Sequence, residues 1–163
     1  MKINESEIIE TNDYRVIIYP ASRPFSAKES KAVSERLFDF LSNWKAHGKP
    51  LSSSFKFERN QFIIITVDED AEPASGCSMD ALNGVMCELD AKFQLGFFDR
   101  MKASYLENGE VKTMPLADFR NAVKNGEISK EVQVFDFSKN TFVAFLSDFL
   151  LPLERSWAGQ YLR

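Results

Sequence analysis

Histidine occurs once in this chain, at position 47, and cysteine only twice, at 77 and 87. That scarcity excludes several functions. A structural zinc site takes four Cys or His ligands, which these residues cannot supply. A Ser-His-Asp triad would have to run through His47, and no G-x-S-x-G elbow presents a serine. Glycine is sparse too, at seven residues, and no G-x-G-x-x-G occurs. The one Gly-Lys pair, Gly48-Lys49, is followed by Pro50 and has no glycine five residues ahead of it, so a phosphate loop is absent. Asp68-Glu69-Asp70-Ala71-Glu72 starts like a calcium loop. Pro73 and Met79 stand where that loop needs its Gly and its last Glu, so the run reads as a solvated loop. No metal and no cofactor is expected.

Long apolar runs are missing as well. The longest, "FIIITV" (62–67) and "FVAFLSDFLLPL" (142–153), fall far short of a bilayer span. "MKINESEIIETND" has no apolar h-region, so a cytoplasmic location is expected, where thiols stay reduced. If Cys77 and Cys87 share a helix they stand about 15 Å apart, beyond the roughly 7 Å a disulfide spans, and should be free thiols. There is no excess of basic charge. The net charge is −4 and the isoelectric point about 5.1, and Lys and Arg are interleaved with acids. Nucleic acid and anionic membrane surfaces are therefore not the expected partners.

What the chain does have is phenylalanine, fifteen residues in 163. These can fill a core or leave an apolar face for a partner. "YRVIIY" (14–19), ended by Pro20, reads as a strand. Ser26 and Glu29 spell a capping box, and Val33, Leu37, Phe40, Leu41 and Trp44 share one helical face. A helix is expected to about Ala46, stopped by Gly48. Phe55 and Phe57 alternate with polar residues, and "FIIITV" follows as an apolar, central strand. A second amphipathic helix carries Met79, Leu82, Val85, Met86, Leu89 and Phe93. Asn108-Gly109 is the preferred pair for a type I′ hairpin turn. Pro115 opens a further helix and Gly126 ends it. "VQVFDF" (132–137) reads as a strand and "TFVAFLSDFLL" (141–151) as a helix, with Phe142, Phe145, Leu146 and Phe149 on one face. That helix would cover the sheet's second face or meet a second copy.

The order βαββαβ predicts a single α+β domain over 1–163: a ferredoxin-like sandwich with an added β-hairpin and C-terminal helices. Chain reversal in that topology brings two connections to one edge. One carries Trp44, His47 and Gly48; the other carries Ser75, Gly76, Cys77, Ser78 and Asp80. A thiol at a helix N-terminus is acidified by the helix dipole, a histidine beside it can take its proton, and free amides there can hold an anion. Cys77 and His47 are thus the candidate catalytic pair, and Trp44, His47, Ser75, Gly76, Cys77, Ser78 and Asp80 the candidate ligand site. The plainer reading makes Ser78 an N-cap, Asp80 a first-turn acid and Gly76 a turn, with Cys77 merely packed. "FFDR" (97–100) would enter the fourth strand from the opposite end, near Arg23.

Several stretches together resemble a family of small bacterial proteins often labelled "ABC transporter ATPase". They are "WKAHGKPL" (44–51), "VDED" (67–70), "ASGCSMD" (74–80), "FFDR" (97–100), "YLENGEVKTMPL" (105–116), "NGEI" (125–128) and "SW" (156–157). The label implies nucleotide hydrolysis, and the phosphate loop that this needs is missing. The resemblance therefore carries over no catalytic residue and points only to the Trp44–Gly48 and Ser75–Asp80 edge. The expected function is a non-enzymatic domain that binds a protein partner or a copy of itself. The alternative is a small-ligand, anion-binding or thiol-dependent enzyme at the Cys77/His47 edge.

Overall fold

The computed structural model describes residues 14–163; the expectation for the first thirteen residues lies outside them. The elements in chain order are β1 (Tyr14–Pro20), α1 (Ala27–Ser42), β2 (Lys45–Ala46), β3 (Lys49–Pro50), β4 (Ser52–Glu58), β5 (Phe62–Asp68), α2 (Gly76–Phe93), β6 (Lys102–Glu107), β7 (Glu110–Pro115), α3 (Leu116–Lys124), β8 (Gln133–Phe135), α4 (Phe142–Asp148) and β9 (Leu150–Pro152), then 3-10 turns at Leu153–Arg155 and Trp157–Leu162. The fold is mixed α+β and its strand pairs are antiparallel.

The apolar run at 62–67 becomes β5, the middle strand of the sheet β1-β5-β4. Its side chains alternate between two cores, as a pleated strand buried on both faces must. Ile63, Ile65 and Val67 meet Val33, Leu37 and Leu41 of α1 and Leu82, Met86 and Leu89 of α2. Phe62 and Ile64 point the other way, into Phe135, Phe142, Phe145 and Phe149. The phenylalanine excess is mostly interior: those rings sit 4.7 to 6.1 Å from a neighbour in tilted or edge-on pairs. α4 covers the sheet's second face through Phe142 and Phe145.

A second sheet, β7-β6-β8-β9, closes that aromatic core with Leu106, Val111 and Leu150. Its far face packs Ala103, Tyr105 and Val134 on Phe119, Ala122 and Val123 of α3 and on the C-terminal turns. The expected fourth strand is a departure from the sequence reading. β6 does not lie beside β1; it pairs with β7 and β8. The Asn108-Gly109 turn, with both residues at positive φ (52° and 79°), gives β6 a local partner. Lys102, its first residue, is held across the end of β1 by a bond to the Pro20 carbonyl, so the chain crosses that end instead of running along the edge.

Two other expectations need correction. α1 stops at Ser42, not near Ala46. His47 (φ 51°) and Gly48 (φ 77°) form a tight left-handed turn that pairs Lys45 with Pro50 and Ala46 with Lys49, and this small hairpin displaces the last helical turn. The N-cap of α2 is Ser75, not Ser78. Ser75 Oγ accepts the Ser78 amide and Ser78 Oγ accepts the Ser75 amide, a reciprocal box in which serine takes the place usually held by Glu. Asp80 consequently falls beyond the first turn, which holds no acid.

Candidate functional site

The structure joins the two connections singled out above at one point. Trp44 is buried and its indole N–H donates to the Ser78 carbonyl at 2.8 Å. Ser78 is buried beside it. His47, Gly76, Cys77 and Asp80 are exposed and Ser75 is half-buried; no hydrogen bond joins His47 to Cys77. The contact that brings the connections together is thus an anchoring bond between interior groups, with the imidazole and the thiol outside it. Both cysteines lie on α2 and are exposed, with no disulfide between them. Among the described residues no three His, Cys, Asp or Glu side chains cluster as a metal would need, and no helix is long and apolar enough to cross a membrane. At the opposite end, "FFDR" does lie near Arg23: the Arg23 guanidinium donates to the Phe93 carbonyl and Phe97 packs on Phe25.

A concavity lies elsewhere, along the outer edge of β1. It has a volume of about 690 Å³ and runs between Tyr14–Ile18 on one side and Phe137–Thr141 on the other, with Glu69 and Met79 at its margin. It exists because, among the described residues, the only strand laddered with β1 is β5, on one side. On the other side the described residues supply one bridge, Arg15 to Thr141, and one bond, from the Val16 amide to the Asn140 carbonyl at 2.9 Å. That bond fixes which backbone groups face outward. Alternate residues of a strand present their amides to the same side, so the Ile18 N–H and C=O point into the concavity. Ile17 and Ile18 are only half-buried there.

The charges around it are held. Arg15 meets Glu69 at 3.6 Å, and the Glu69 carboxylate also accepts the Ala74 amide. Behind the opposite wall, outside the lining itself, Asp136 accepts the Ser138 amide and hydroxyl and pairs with Lys139 at 3.3 Å. Burial pushes the Asp136 carboxyl up, but the Ser138 bonds and Lys139 outweigh it and hold it below the ordinary aspartate value. The Ser138 bonds to the Asp136 carboxylate make a local turn just ahead of Asn140, whose carbonyl accepts the Val16 amide. Sequence reasoning did not bring Arg15 and Ile18, Glu69, and Lys139 and Thr141 together, because the three segments that carry them lie far apart in the chain. The one usable signal was Asp136-Phe137-Ser138, whose Asp and Ser favour a turn at the end of a run read as a continuous strand to 137.

No family model matches the chain, and neither does any curated protein or solved structure.

Proposed function

We propose that this chain is a non-enzymatic protein-binding domain that takes an extended segment of a partner protein as an added strand on the edge of β1. The observation that carries the reading is the open backbone of Ile18 in a concavity of about 690 Å³. The strand order β1-β5-β4, with both helices on one face, supports reading the first three long strands as those of a ferredoxin-like sandwich. The segment that would be fourth is drawn into another sheet, and a partner strand would take the fourth place. Strand addition draws affinity from main-chain hydrogen bonds and selectivity from pockets for alternate side chains; here Met79 and the half-buried Ile17 and Ile18 offer the apolar contacts. Pro20 at the end of β1 and the charges of Arg15 and Lys139 guard the edge against indiscriminate pairing.

Peptides selected from a displayed library of extended sequences test this. The expected binders slow hydrogen exchange at the Ile18 amide and shift only resonances of 14–18 and 137–141. Ile18→Pro, which deletes an outward N–H and leaves the β5 ladder its donors, abolishes their binding. Binders that map elsewhere, or that tolerate Ile18→Pro in a folded protein, sink the reading. Light scattering separates the other occupant: a concentration-dependent dimer lost with Ile18→Pro would put a second copy on this edge.

A further inference from the structure

A second concavity, of about 450 Å³, opens on the other side of Lys139, within the range of small-molecule sites, about 300–1,000 Å³. Four charged side chains line it: Asp136, Lys139, Asp148 and Arg155. The first two are committed to each other at 3.3 Å. Ser156 on the rim is committed too, since its hydroxyl donates to the Leu153 carbonyl and accepts the Ala158 amide. Asp148 and Arg155 are different. Neither forms an ion pair or a side-chain hydrogen bond with any described residue, and they do not pair with each other although they face one space. Between them Trp157 and Leu151 give an apolar wall. The Trp157 ring is immobilised by its indole N–H, which donates to the Phe135 carbonyl at 2.9 Å.

A cavity with one unpaired cation, one unpaired anion and a fixed aromatic wall is complementary to a small dipolar molecule with an apolar side chain. We infer that it binds a free α-amino acid with an apolar or aromatic side chain. Arg155 takes the carboxylate through its planar fork, Asp148 takes the ammonium, and the side chain lies on Trp157 and Leu151. The site adjoins the strand-addition edge at Lys139, which lines both concavities, but does not rest on that reading.

The test is titration of the ¹⁵N-labelled full chain with L-phenylalanine, followed at the Trp157 indole N–H. 3-Phenylpropionate and phenethylamine, each lacking one charge, serve as controls on the unmodified protein. The expected result is a saturable shift with L-phenylalanine and at least about tenfold weaker binding of either control. Arg155→Gln and Asp148→Asn should each cost a similar factor while leaving the rest of the spectrum in place. No saturable shift up to about 10 mM L-phenylalanine, a weaker affinity than any specific site would show, overturns the inference. So do controls that bind as well as the amino acid, or binding that survives both substitutions.

Discussion

Lys102 is the one lysine buried in the described structure, 8% exposed, and its protonation should set the alkaline stability profile. Its Nζ donates to the carbonyls of Pro20 and Gly96, each at 2.6 Å, and to Ser22 Oγ at 3.0 Å. These bonds tie the start of β6 to the end of β1 and to the turn after α2. Burial lowers the Lys102 pKa to about 8, with Asp99 and Asp90 partly opposing the shift. In the unfolded chain the amine titrates near 10.4. Between those values the unfolded state holds more protons than the folded one, so stability rises with pH there. Integrating over the two titrations gives a gain of about 2 kcal/mol from pH 8 to pH 10. Tyr19 acts in the opposite sense but later: burial raises its pKa well above the ordinary phenol value, so its contribution falls away only as unfolded tyrosine ionises near 10. Urea melts of the wild-type chain and of Lys102→Met, at pH 8, 9 and 10, isolate the term. Every other ionisable group is common to the two proteins, so its contribution cancels in the comparison. The absolute stability of Lys102→Met at neutral pH is a poor guide, because removing a buried charge offsets the lost bonds. The difference in slope is diagnostic. The wild type should gain on the variant by about 2 kcal/mol across the range, and parallel profiles would refute the claim that burial makes this amine give up its proton earlier in the folded chain than in the unfolded one.

The same seam explains a glycine. Gly96 sits at φ 76°, and a Cβ there would stand 2.3 Å from Ser22 Oγ. Gly96→Ala should cost about 1–2 kcal/mol for the left-handed backbone and about 1–3 kcal/mol more for the collision. In a Ser22→Gly background only the first part should remain, and equal losses in both backgrounds in urea melts would count against the contact. Trp44→Phe should cost about 1–3 kcal/mol through the lost bond to the Ser78 carbonyl and the space left by the smaller ring. It should also loosen β2–β3, read as faster amide exchange at Leu51, whose N–H bonds the Trp44 carbonyl; unchanged exchange would mean that the hairpin does not depend on this anchor.

What was legible in the sequence is what neighbours in the chain decide. The Ser26–Glu29 box, the Asn108-Gly109 hairpin and the doubly buried strand at 62–67 each follow from spacing over a few residues, and each is found in place. The left-handed turn at His47-Gly48 was harder, because histidine only tolerates positive φ. What was not legible depends on pairing across distance. β6 meets β8 through a single register pair, Tyr105 with Val134, and no local pattern states that choice. The open edge of β1 is the direct consequence of it. Once β6 is claimed by β7 and anchored by Lys102, the place beside Ile18 is left, among the described residues, to 138–141, or to another chain. Asp136 settles the first alternative: its carboxylate gathers the Ser138 amide, the Ser138 hydroxyl and Lys139, and that local turn competes with extension along β1. A strand edge beside which β6 is tied elsewhere by Lys102 and the 136–139 segment is gathered into its own turn is what a segment from another protein would need.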